Sequence, residues 1–151
     1  MDFNLQLKLK GDLSIKKYSE DNRLIQQIDV PNLIVTAGRQ HIASRIIGYV
    51  GSSASVMTHM GVGISGTLPV IGNTALNSQI ARVALDSTPT RTNAIITYSA
   101  TFGLGVAVGS IVEAGIFNAS TGGTMLCHTV FPVVNKDTNE TVTITWNISV
   151  G

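Results

Sequence analysis

Apolar and polar residues alternate with period two along much of this chain. Val142, Ile144, Trp146, Ile148 and Val150 fall on one face of the C-terminal segment, and Thr141, Thr143, Thr145, Asn147 and Ser149 on the other. Successive side chains of a strand point to opposite faces, so this run predicts a half-buried strand with Trp146 in the core. Ile96, Tyr98, Ala100 and Phe102 alternate in the same way with Thr97, Ser99 and Thr101. So do Phe3, Leu5, Leu7 and Leu9 with Asn4, Gln6, Lys8 and Lys10. Shorter strands are predicted over Leu13–Tyr18, Leu24–Val30, His59–Ile64, Gln79–Asp86, Val112–Asn118 and Thr124–Phe131.

Turn residues punctuate these runs. Gly11-Asp12 is expected to close one hairpin, Asp21-Asn22 a second and Thr121-Gly122-Gly123 a third. Pro31, Pro69, Pro89 and Pro132 are expected at strand ends, where a missing amide donor is harmless. One segment reads as helical: Ala37–Ile47, with Thr36 as N-cap and Gly48 as C-cap. A second short turn is expected near Asn73-Thr74. Many short strands, abundant glycine and one short α-helix near residues 37–47 predict a mainly β fold. The form expected is an antiparallel β-sandwich, jelly-roll-like, with Phe102, Phe117, Phe131 and Trp146 in its core.

Charge divides the chain unevenly. Of the 19 Lys, Arg, Asp and Glu residues, ten lie in the first 29 positions, and only Arg82, Asp86 and Arg91 are charged between Ile46 and Val112. A β-hairpin arm over residues 1–30 and a sandwich body over residues 31–151 are therefore expected. On that reading the body stays folded when residues 1–29 are deleted. A formal net charge of +1 with no basic run argues against nucleic-acid binding, which needs clustered cations. The uncharged window from Thr92 to Val112 is interrupted by polar residues and glycines, so it does not read as a membrane span. Met1-Asp-Phe-Asn-Leu-Gln-Leu-Lys8 alternates and lacks the block pattern of a secretory leader, so a cytoplasmic place of folding is expected.

Little in the sequence promises chemistry. Gly61-Val-Gly63-Ile-Ser-Gly66 matches a dinucleotide-binding fingerprint in letters but is not followed by a helix, so its glycines read as strand and turn backbone. Cys127 and His128 are neighbours on a predicted strand and point to opposite faces, so they cannot form a thiol–imidazole pair. No spacing among His41, His59 and His128 suggests a metal site, and the single cysteine excludes an internal disulfide. Glu113 is the only acid between Asp86 and Asp137, and a structural ion pair with Arg82 or Arg91 is expected for it. Trp146, on an apolar strand face, is expected in the core and not as a sugar platform. No catalytic residue, cofactor or metal ligand is expected.

Met60-Gly-Val-Gly63, then Asn73-Thr-Ala-Leu76, then Gln79-Ile-Ala-Arg82, resembles the small structural proteins of tailed bacteriophages. Glu113-Ala-Gly-Ile-Phe117, Lys136 and Val142-Thr-Ile-Thr-Trp146-Asn-Ile148 extend the likeness, which covers Asn32 to the C-terminus. The position before the arginine that is commonly acidic in such chains is held here by Gln79-Ile-Ala81. The resemblance implies a non-enzymatic β-sandwich, usually trimeric, that serves as a capsid decoration (cement) protein or as a tail-fibre or baseplate component. A decoration protein would be a homo-oligomer that contacts the major capsid protein in the virion. A carbohydrate-binding module is the contrasting expectation, and it needs Tyr49, Tyr98 or Trp146 exposed.

Overall fold

A computed structural model describes residues 8–49, 51 and 55–151. Phe3, Leu5 and Leu7 of the N-terminal alternation lie outside the described residues. The elements in chain order are β1 (Leu9–Tyr18), β2 (Leu24–Ile34), α1 (Thr36–Ile46), β3 (His59–Gly63), β4 (Gln79–Ala84), β5 (Thr90–Thr92), β6 (Ile95–Phe102), β7 (Gly109–Phe117), β8 (Met125–Lys136) and β9 (Thr141–Val150). The fold is mainly β, with 53% of residues in strands and 8% helical. All nine strands join one antiparallel sheet in the order β4-β3-β7-β8-β2-β1-β9-β6-β5. That sheet curls into a half-barrel.

The curl turns on β2. Its residues 24–32 pair with β1, and Leu33 and Ile34 then pair with His128 and Cys127 of β8. Pro31 lies at this handover, and its carbonyl accepts the Thr129 hydroxyl at 2.9 Å. Pro132 lies where β8 bulges against β7, between the pairs Ile111↔Val134 and Glu113↔Val130. Both prolines are therefore inside strands and not at their ends. They are tolerated because each sits at an irregularity of the ladder. Near the two sheet edges, the chain just after β4 reaches β6. Asp86 N donates to Ser99 O at 2.8 Å, and the Asp86 carboxylate accepts from Thr101 N and both the Ser99 and Thr101 hydroxyls.

The concave side is filled by one cluster drawn from both halves of the sheet. Leu13, Ile15, Tyr98, Phe102, Ile144 and Trp146 come from one half, and Met60, Val62, Ala114, Ile116, Phe131 and Val134 from the other. Trp146, Phe102 and Phe117 have no exposed surface and Phe131 has 5%. Phe117 belongs to a second, smaller cluster with Val35, Leu76 and Met125 on the opposite face of the sheet.

Two further expectations are corrected. Gly11-Asp12 makes no turn, because β1 runs straight through both residues in register with β9 and β2. The charged N-terminal hairpin is also not an arm. Its strands lie between β8 and β9, and Leu13 and Ile15 are 2% and 1% exposed in the main core. Most of the described charges that suggested an arm occupy the hairpin's convex face and tip, while Lys17 shares the inward parity of Leu13 and Ile15 and lies beside Glu140. Other local expectations hold in geometry. Asn22, Gly122 and Gly123 adopt positive φ in their turns, and Gly48 does so just beyond the end of α1. The expected N-cap at Thr36 is corrected: the helix already begins at Thr36, Val35 holds the cap position and no side-chain cap bond forms.

Candidate functional site

The motifs that ran in order along the sequence converge on one place, the convex face of β4-β3-β7-β8. The connection from Ile64 to Ser78 lies over this face. Strands β3, β4 and β7 each direct alternate residues toward it: Gly61 and Gly63, Arg82, and Glu113, Gly115 and Phe117. The glycines are there because the connection lies so close. A Cβ on Gly63 would collide with Glu113 Oε1 and the Ser78 carbonyl, and one on Gly61 would lie 3.0 Å from Phe117 and 3.3 Å from Leu76. The G-x-G pattern thus records a close backbone approach, which only glycine permits.

Glu113 and His128 form the centre of this latch, and neither side chain has any exposed surface. Glu113 Oε2 lies 2.9 Å from His128 Nε2. The same carboxyl accepts the backbone N–H of Asn77 at 3.0 Å and of Ser78 at 2.7 Å. His128 Nδ1 lies 3.1 Å from Asn73 Oδ1, which also accepts Val70 N at 2.8 Å. Two side chains of adjacent strands therefore hold the 64–78 connection at two backbone amides and one side chain. A further bond, Thr36 N to Ile71 O at 2.8 Å, ties the connection to the start of α1.

The expected pairing of Glu113 with Arg82 or Arg91 is corrected by this geometry. Arg82 donates to Gln79 Oε1 and to the carbonyls of Ala119 and Gly122, and its guanidinium stacks 3.5 Å above the Phe117 ring. Partial burial there lowers its pKa from the ordinary value. Arg91 donates to Asn93 O at 2.8 Å. The partner that sequence reasoning missed was His128, weighed only against its neighbour Cys127 and as a metal ligand with the other histidines. The useful signal was a lone acid and a histidine on runs without alternation, which marks strands covered on both faces.

Cys127 points to the main core, opposite His128, and burial pushes its thiol far up in pKa. His59 Nδ1 lies 2.8 Å from Thr58 Oγ1. Lys136 is 2% exposed and donates to the Gly103 carbonyl at 2.8 Å, with burial lowering its pKa from the ordinary ammonium value. Among the described residues, no three His, Cys, Asp or Glu side chains gather as a metal site, and no helix is long and apolar enough to cross a membrane. A cavity of about 480 Å³ lies between α1 and the sheet, lined largely by Ile42, Met57, Ile96, Tyr98, Leu126 and Ile148.

The latch presents several aliphatic side chains outward, among uncharged polar ones such as Thr67, Thr74 and Asn77. Ile64, Leu68, Val70 and Ile71 on the connection are 49%, 76%, 59% and 49% exposed, and Ile80 beside them is 38% exposed. No Lys, Arg, Asp or Glu occurs from Ile46 to Ala81. Chemically, the arrangement fixes an uncharged, apolar loop in place from beneath. No protein-family model matches the chain, and no curated protein or solved structure matches it.

Proposed function

We propose that this chain is a non-enzymatic structural protein of a tailed-phage virion, a capsid decoration (cement) protein. It forms homotrimers in the host cytoplasm and attaches to the major capsid protein. The observation that carries this reading is the latched apolar loop. A solvated surface loop gains nothing from several exposed aliphatic side chains held rigidly by a buried polar network. A contact surface gains much, because a loop already ordered loses less entropy on association. Interface cores are also depleted of charge, as is the stretch from Ile46 to Ala81. The motif resemblance supplies the virion setting. The facing halves of the curled sheet fit the sandwich-like, jelly-roll-related body that the resemblance implies.

Catalysis is not part of this reading. The carboxylate and imidazole that could share a proton have no exposed surface on which to meet a substrate. The carbohydrate-module alternative is weakened as well. Trp146 is fully buried and Tyr98 is 8% exposed, which leaves Tyr49, 51% exposed, as its only remaining ring. Electron microscopy of the assembled particle tests the proposal. Density for the chain as trimers on the capsid shell supports it, density on the tail selects the fibre or baseplate alternative, and absence from the particle overturns it.

A further inference from the structure

The hydrogen bonds of the latch fix how many protons it holds. Asn73 Oδ1 accepts the Val70 amide, which identifies that atom as oxygen and not as the amide nitrogen. It faces His128 Nδ1, and an oxygen offers that nitrogen no proton, so Nδ1 donates. The other ring nitrogen faces Glu113 Oε2, in a carboxyl group that already accepts from Asn77 and Ser78. Two backbone N–H groups already donating to one buried carboxyl suit its ionised form, and a carboxylate has no proton to give. Nε2 therefore donates as well, whereas a neutral imidazole carries only one N–H.

We propose that His128 is held in the folded chain as a doubly protonated imidazolium against an ionised Glu113, forming a proton-dependent latch on the 64–78 connection. Removing one ring proton turns a donor into a lone pair that faces either Asn73 Oδ1 or Glu113 Oε2. Two acceptors then face one another where no water reaches, and the connection loses its anchor. This inference does not rest on the virion reading. The other titratable or charged groups on the elements packed around the pair are His59 of β3, Arg82 of β4, Asp29 of β2, Cys127 and Lys136 of β8, and Arg39, His41 and Arg45 of α1.

The sign of the pH effect follows from the proton count. Above about pH 6.5 the unfolded chain carries a neutral histidine and an ionised glutamate, one proton fewer than the latch. Folding then takes up a proton, so stability falls as pH rises, by up to about tenfold in the folding equilibrium per pH unit.

Ring-¹⁵N histidine NMR on the full chain at pH 8 tests the assignment, with His41→Gln and His59→Gln used to identify the signals. The expected result is two protonated, slowly exchanging ring nitrogens for His128. A single protonated nitrogen overturns the proposal. Glu113→Gln, if it folds, should reduce the ring to one N–H and flatten the decline in stability between pH 6.5 and 8.5. Two N–H signals persisting in that variant contradict the latch, as does an unchanged slope. Should the variant not fold, the wild-type ring spectrum and a measured wild-type slope decide, and a flat slope counts against the proposal. A monomeric chain with a doubly protonated His128 would sink the association reading and leave the latch standing.

Discussion

The two halves of the curled sheet are built by different rules. In the β1-β9-β6 half, one face meets the core and the other meets solvent. Strand β9 accordingly alternates between buried and half-buried positions along nearly its whole length. In the β3-β7-β8 half, the convex face is also covered by the 64–78 connection. The last five residues of β7 and the first five of β8 are all buried. A strand with one wet face records its fold in its sequence, because each position must choose between water and core. A strand buried on both faces has no such choice to record. That is where the chain places its buried acid and histidine, and a buried charge needs a partner that the one-dimensional pattern does not name.

The contrast is open to breakage in several ways, the largest first. Deleting residues 1–29 removes β1 and much of β2 from the middle of the sheet, separating β8 from β9. We expect no cooperative unfolding transition by circular dichroism, and a folded deletion product would restore the arm. Next come matched substitutions in the two halves. Trp146→Ala should cost about 3–5 kcal/mol through the cavity it leaves in the main core. Glu113→Ala should cost a similar ~3–5 kcal/mol for a different reason, since it strands His128 and two backbone amides. Denaturant titration measures both. A cost below about 1 kcal/mol for Glu113→Ala would show that the latch does not hold the connection.

Arg82→Ala should be milder, about 1–2 kcal/mol, because it removes hydrogen bonds and a ring stack without leaving a carboxylate unpaired. A loss equal to that of Glu113→Ala would revive the ion pair expected from the sequence. Alkaline pH acts on the core face of β8. Burial raises the pKa of the Cys127 thiol above its ordinary value of 9.0, so it stays protonated in the folded chain while the unfolded chain ionises. The stability this thiol contributes is fully present below about pH 9 and is lost above it, by up to about 1.4 kcal/mol per pH unit. Cys127→Ala should remove that part of the decline, as urea midpoints at pH 8 and pH 10 would measure. Smallest of all, Thr145→Val on the wet face of β9 should change stability by no more than about 0.5 kcal/mol.

This division explains what could be read from the sequence. β9 and β6 were legible to within a residue, as were the turns at Asn22 and Gly122-Gly123, because solvent and positive φ impose local choices. The integration of β1–β2 was not legible. Lys8, Lys10 and Lys16 drew attention to the wet face, while Leu13 and Ile15 on the other face belong to the core. The latch was legible only in pieces. Gly61, Gly63, Leu76, Arg82 and Glu113 were each noticed as letters of a motif. Their meeting depends on the 64–78 connection folding back over β3 and β7, a long-range contact that no local periodicity encodes.

The central claim is that the latched apolar loop is a surface for association with other copies of this chain. Light scattering of the purified chain at micromolar concentration tests it most directly, with Leu68→Asp measured alongside. The wild-type chain should give a mass near three times 15.9 kDa. Leu68→Asp should stay folded and shift toward the single-chain mass, because it places a charge in the uncharged contact. A wild-type mass of 15.9 kDa would contradict the claim, as would a trimer that Leu68→Asp leaves intact.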